Sequence, residues 1–344
     1  MLGLAPLPRS FDAALRDVQD QKGQVRLSAV HDLARHATTE EGGRAVAALI
    51  AALESDVSGQ VRGAAAIALA DAQARGGVDA LLGAADDSHL HVRQMALIAL
   101  GELGDRSDER VLDVVRQALR HDAPALRFQA LIAASRLEAS FAEEALLAAT
   151  RDEDDEVRHV SFRLLEERAT TSDLEVRPGR PVLAAAARGL ADPELSVRLA
   201  AAILLGRAGD PSGARVIVEG VGARGARLDP EDEQAAIVLA GDLRLREAAP
   251  GLSLRAWGRL GFGRSRFAYE ARIALAQMDD ARARSAILRG LDAWTRDART
   301  LAVVAAGRAK LPEARAAIQA MRDDDSRAEP GAVREALAAL DGLP

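Results

Sequence analysis

The chain has no cysteine. That excludes a disulfide framework, a thiolate nucleophile and thiolate metal ligands. Aromatic residues make up 3% of its 344 positions, too few for a conventional core of that size. Ala, Leu and Val must fill the interior, which suits closely packed helices built from good helix formers. No apolar run reaches the length of about 18 residues that reads as a membrane span. The start, Met1-Leu2-Gly3-Leu4-Ala5-Pro6-Leu7-Pro8-Arg9, lacks a basic region followed by a long apolar one, so no signal peptide is read and a soluble, cytoplasmic protein is expected. Lysine is nearly missing: of 45 basic residues only Lys22 and Lys310 are not arginine, a usage that fits a GC-rich bacterial genome. The net charge of −7 argues against a general phosphate-backbone binder, which needs a basic face.

What is present is a phrase that returns: an acidic residue, then a Val-Arg pair, then an Ala-rich apolar run. It reads Asp20…Val25-Arg26, Asp56…Val61-Arg62, Asp87…Val92-Arg93, Asp122…Leu126-Arg127, Asp152…Val157-Arg158 and Asp192…Val197-Arg198. The Asp-to-Arg separation is six residues in five of these and five in the fourth. Continuing the alignment places further anchors at Glu231, Phe267, Ala298 and Val333. Between anchors lies a second apolar-periodic segment such as Ala45–Leu53. Each unit therefore predicts a first helix, a tight turn and a second helix. Asp, Asp-Pro and Gly-Asp steps at the joints supply the caps and stops. The link from Thr170 to Pro181 is the longest.

The Asp-to-Arg spacing and the run Val92-Arg93-Gln-Met-Ala96-Leu-Ile-Ala99-Leu100-Gly101 resemble the HEAT-repeat family, in the short bacterial form also seen in phycobilisome-lyase-type proteins. The resemblance covers residues of about 10–341. It implies one all-α domain over 1–344, a right-handed solenoid of about ten helix pairs. It also implies an Asp–Arg ladder along the array and a binding role rather than catalysis. Some HEAT-like proteins are bilin lyases or DNA glycosylases, which keeps an enzyme as an alternative. No Ser/His/Asp arrangement, nucleophile elbow or pair of catalytic carboxylates accompanies the repeats, so no catalytic residue and no cofactor is assigned.

The partner expected is another protein, held on the concave side. On helical spacing, Val92, Met95, Ala96, Ala99, Leu100 and Leu103 share the core face of their helix. Positions two residues past each anchor point away from it. They bring Phe128, His159, Leu199 and Tyr269 outward, with Leu131 and Phe162 three residues beyond two of them. A second candidate surface is 252–272, where four of the nine aromatics lie between 257 and 269 and five arginines between 255 and 272. Trp257, Phe262, Arg264, Arg266 and Tyr269 are its candidate contacts, because Arg and aromatics dominate binding hot spots. The same segment, through Arg255, Arg259, Arg264 and Arg266, carries the alternative of nucleic-acid or anion binding, which the overall acidity disfavours. The ladder breaks there and at Glu231-Asp232. His89-Leu-His91 lacks a third ligand at suitable spacing, so no metal is assigned.

Overall fold

Runs of Ala, Leu and Val, interrupted by Asp, Gly or Pro, become short helices joined by tight turns. The computed structural model describes residues 9–170, 178–223, 228–258, 265–322 and 324–342. Among the described residues there are twenty α-helices and no strand. They fall into two compact units, Met1–Leu165 and Glu166–Pro344. The boundary lies just before the long link that begins at Thr170, where the repeat spacing stretches.

The first unit holds α1 (Phe11–Asp17), α2 (Gly23–His36), α3 (Gly42–Ser55), α4 (Gly59–Asp71), α5 (Val78–Ala84), α6 (Leu90–Leu103), α7 (Glu109–Ala118), α8 (Pro124–Arg136) and α9 (Ala142–Ala149). Helix α10 (Asp155–Thr170) crosses the boundary. Even-numbered helices pack side by side as one layer, α2 on α4, α4 on α6 and α6 on α8. Odd-numbered helices form the other, α3 beside α5 and α5 beside α7. The apolar core lies between the layers and is built largely of Ala, Leu and Val, including Leu33, Leu49, Val61, Leu69, Leu81, Val92 and Leu100.

The second unit repeats the scheme with α11 (Arg180–Gly189), α12 (Leu195–Arg207), α13 (Ala214–Gly222), α14 (Pro230–Asp242), α15 (Ala249–Trp257), α16 (Ala268–Gln277), α17 (Ala281–Gly290), α18 (Arg296–Arg308), α19 (Arg315–Gln319) and α20 (Pro330–Leu340). Its core joins Leu199, Ile217, Ile237, Phe267, Ile273, Val303, Ile318 and Val333. Small residues set the spacing of the even-numbered layer. A side chain at Gly307 of α18 would place its Cβ 2.7 Å from the Ala336 Cα of α20, and one at Gly241 of α14 would sit 2.7 Å from the Ala274 Cα of α16.

Helix ends fix the repeat register. Gln73, Glu138, Gly209, Arg244, Asp279 and Lys310 all have positive φ, the left-handed turn that closes a helix. Each follows a buried or half-buried residue by twelve positions: Val61, Leu126, Val197, Asp232, Phe267 and Ala298. The anchor of the seventh unit is therefore Asp232, 1% exposed, and not Glu231 as the sequence alignment expected. Glu231 is exposed on the first turn of α14.

Candidate functional site

Several turns between an odd and an even helix are built around one aspartate. Asp56 Oδ1 accepts the Ser58 N–H at 2.8 Å, Asp87 Oδ1 the His89 N–H at 2.8 Å and Asp152 Oδ1 the Asp154 N–H at 2.9 Å. The arginine six residues later donates through Nη1 to the backbone oxygen of that aspartate: Arg62 to Asp56 at 2.7 Å, Arg93 to Asp87 at 2.8 Å and Arg158 to Asp152 at 2.9 Å. The other edge of the guanidinium reaches the next turn. Arg26 grips the Asp56 carboxylate through Nε and Nη2 at 2.6 and 2.8 Å. Arg62 grips Asp87 at 2.7 and 2.8 Å, and Arg127 grips Asp152 at 2.8 and 2.6 Å. The ladder implied by the repeat pattern is thus a chain of two-point clamps. Arg26, Arg62 and Arg127 are each tied to their own turn by a backbone oxygen and to the following turn by a carboxylate. The Arg62 hydrogen bonds pull the Asp87 carboxyl down to about 2. Burial opposes ionisation of Asp56 and Asp152, yet their arginines and turn N–H groups hold both below the usual carboxylate value.

Other rungs depart from this pattern: Arg198 donates to Glu219 of α13, and Arg299 to the backbone oxygens of Ser326 and Arg327. In the fourth unit the residue six before Arg127 is His121, and Arg127 Nη1 donates to its backbone oxygen at 2.9 Å. His121 Nδ1 accepts the Ala123 N–H at 2.9 Å, the capping task that aspartate performs elsewhere. The five-residue spacing to Asp122 was therefore a misreading of register: Asp122 is the exposed residue one step on. In the seventh unit, with Asp232 as anchor, Glu233 occupies the place of the ladder arginine. It accepts from Arg255 Nε of α15 at 3.0 Å, a rung with its charges exchanged.

The sequence-predicted contacts divide sharply. Leu131, Phe162 and Leu199 are 1%, 1% and 0% exposed, so they line the core and not an outer surface. The one-face rule fails because an even-numbered helix is flanked by two even neighbours as well as by its odd partner. Nine residues of α12, Leu199 among them, are buried, and Leu199 packs against Gly220 of α13. Phe128 and His159 are half-buried. Tyr269 is half-buried too. Its hydroxyl donates to the Leu301 backbone oxygen, and burial pushes its pKa up to about 12. Phe262 and Arg264 lie outside the described residues, as do Arg259, Gly261 and Gly263.

The described parts of 252–272 are largely occupied with their own packing. Trp257 lies between two guanidinium groups, Arg272 at 4.6 Å and Arg282 at 4.2 Å from the ring centroid. Arg255 has 10% of its side chain exposed. Besides Glu233 it donates to the Val221 oxygen. Arg266 remains exposed, 4.7 Å over the Phe267 ring and 3.9 Å from Glu233.

The open surface lies instead on α2, α4 and α6. A groove of about 790 Å³ is lined by Leu27, His31, Gly63, Ile67, His91 and Met95, with Arg35 and Asp71 at one end. Most of its residues fall one before, and three, six and ten after, the anchors Val25, Val61 and Val92: Gln60 and His91, Ala64 and Met95, His31 and Ile67, Arg35 and Asp71. Met95, assigned to the core face from sequence, is half-buried: it packs against the core and also lines this groove. Gly63 keeps the groove open, since a Cβ there would come within 2.9 Å of the His91 ring. His89 faces elsewhere, 3.1 Å from Arg62 Nη2. Among the described residues no group of three or more His, Asp or Glu side chains converges as a metal site. No described helix is long and apolar enough to cross a membrane. One further residue escaped the sequence reading. Trp294, in the turn before α18, is 97% exposed at a place where the other turns carry Val57, Ser88, Asp122, Glu153 and Pro193.

Residues 46–136 match the family model of HEAT repeats, and the fold of the chain is of the HEAT-like solenoid kind. YibA of Escherichia coli superposes with a TM-score of 0.53 at 16% identity, over 79% of this chain and 93% of its own. A chain from the structure of Kap95p bound to RanGDP superposes with a TM-score of 0.51 at 13% identity, over 96% of this chain and 51% of its own. The CpcE–CpcF complex of a Nostoc phycocyanin lyase gives a TM-score of 0.42 at 20% identity, over 76% of this chain and 97% of that one, too low to bear on the fold. No curated protein matches the sequence.

Proposed function

We propose that this protein is a non-catalytic scaffold that holds another protein against the outer face of α2, α4 and α6. The observation that carries the reading is the groove there, an apolar floor of Leu27, Ala64, Ile67 and Met95 edged by His31, His91, Arg35 and Asp71. An apolar centre with a polar rim is the anatomy of protein interfaces. In a HEAT-type array this face is the concave one, and Kap95p binding to RanGDP is an assembly made by a protein whose structure includes a similar fold. Trp294 supplies a second contact, because a large aromatic left in water gains strongly from burial against a partner. A cytoplasmic location and a protein partner, with neither membrane nor nucleic acid involved, complete the proposal. Arg26, Arg62 and Arg127 are structural on this reading, since each grips the carboxylate of the next turn.

The test is quantitative capture of partners by the wild type and by Ile67→Glu and Trp294→Ala variants, with melting temperatures measured alongside. Ile67→Glu should weaken the principal partner by tenfold or more without lowering the melting temperature appreciably. A partner held equally well by both variants would remove both surfaces from the account.

A further inference from the structure

Among the described residues, the ladder lacks its carboxylate opposite Arg93. Arg26 reaches Asp56, Arg62 reaches Asp87 and Arg127 reaches Asp152. In each case the carboxylate belongs to the residue six before the next ladder arginine. By the same rule Arg93 reaches toward position 121, because Arg127 follows it by six. A histidine stands there. Its Nδ1 is already an acceptor for the Ala123 N–H, so it keeps the turn closed but offers no carboxylate. Arg93 Nη1 is satisfied by the Asp87 oxygen at 2.8 Å, yet its Nε is buried and has no hydrogen-bond partner. Buried donors of this kind are rare and call for an explanation. Asp122, the next acid along, is exposed and enters the turn through its backbone oxygen, which accepts from Arg127 at 2.9 Å.

We propose that the Nε edge of Arg93, beside His121, is a binding site for a carboxylate, supplied by an Asp or Glu side chain of a protein partner. The planar guanidinium edge matches a carboxylate in two-point geometry. The same edge of Arg26, Arg62 and Arg127 already holds one. His121 Nδ1 accepts a hydrogen bond, so the ring proton of the neutral imidazole is on Nε2, which makes it a further donor. A depression of about 570 Å³ at this turn is lined by Arg116, Arg120 and His121 together with Asp113, Gln117 and Asp122, with Arg116 paired to Asp113 and Glu109. The partner's acid would complete the ladder across the third and fourth turns. This deepens the scaffold reading and rests on it for the source of the carboxylate.

The experiment follows the Arg93 Nε–Hε resonance by NMR at constant ionic strength. It is titrated with sodium acetate, with inorganic phosphate, and with a blocked tripeptide Ala-Glu-Ala beside its Ala-Gln-Ala counterpart. Acetate and the Glu peptide should shift the resonance saturably, and the Gln peptide should not. A His121→Asp variant supplies the missing carboxylate from within. It should melt at a higher temperature than the wild type and lose the acetate-dependent shift. No shift with acetate, or an equal shift in His121→Asp, overturns the site. An equal response to phosphate overturns its assignment to carboxylates. Binding of acetate without the Glu peptide overturns the protein source. None of these outcomes depends on the α2–α4–α6 groove, so a failure here is separable from failure of the scaffold reading.

Discussion

Asp87 carries four interactions at once. Its carboxylate takes the Arg62 fork and the His89 N–H, and its backbone oxygen takes Arg93. Removing Arg62 leaves a largely buried carboxylate with a single turn N–H, so Arg62→Ala should cost about 2–4 kcal/mol in urea denaturation. Arg93→Ala breaks only the bond to its own turn and should cost about 1 kcal/mol. Equal losses would show that the two rungs are alike and would contradict the register that sets His121, rather than an acid, opposite Arg93. The same residue sets an acid limit. The folded pKa of Asp87 is near 2, below the ordinary value of 3.8, so the unfolded chain takes up the proton first as pH falls. The stabilisation is full above about pH 4 and is lost as pH drops through 2, on the order of 2 kcal/mol. Denaturation midpoints between pH 5 and 2 should fall for the wild type, and fall less steeply for Arg62→Ala.

At the scale of helices, packing between even-numbered neighbours depends on missing side chains. Gly307 lies against Ala336 so closely that a Cβ would stand 2.7 Å from its Cα. Gly307→Leu should therefore destabilise by about 1–3 kcal/mol through forced separation of α18 and α20. Gly43 of α3 has nothing within 4 Å of where a Cβ would sit, and Gly43→Ala should stabilise by about 0.5–1 kcal/mol through helix propensity alone. Thermal melts of the two variants check both directions. Helix existence and pairing were legible in the sequence because the Val-Arg phrase and the Asp, Gly and Pro stops recur in phase. Register was legible only to within one residue. Glu231-Asp232 and His121-Asp122 each offer two acids or near-equivalents side by side, and only the twelve-residue distance to the left-handed closing residue, or the bond from Arg127, decides between them. The outward face was misjudged for a different reason. A two-layer array buries even helices on three sides, so Leu131, Phe162 and Leu199 satisfied a one-face pattern while lying in the core. The stripe at minus one, plus three, plus six and plus ten is the pattern that reports exposure in α2, α4 and α6.

At the scale of the molecule, the protein consists of two compact α-helical repeat units, and in the first of them successive turns are joined by Arg–Asp pairs. The features that stand out are local: the groove on α2, α4 and α6 and the Arg93 edge in the first unit, Trp294 and Arg266 in the second. The sequence drew attention to 252–272 by its density of Arg and aromatics. The described part of that density is explained by Trp257 between Arg272 and Arg282 and by Glu233 taking the place of a ladder arginine. Trp294 attracted no notice because a lone aromatic in a turn has no periodic signal. The central claim, that a partner sits on the even-numbered face of the first unit, is tested most directly by hydrogen–deuterium exchange of the protein with and without its captured partner. Binding should slow exchange in α2, α4 and α6, with little change in α3, α5 and α7. Protection confined to the odd-numbered helices, or to the second unit alone, would contradict it.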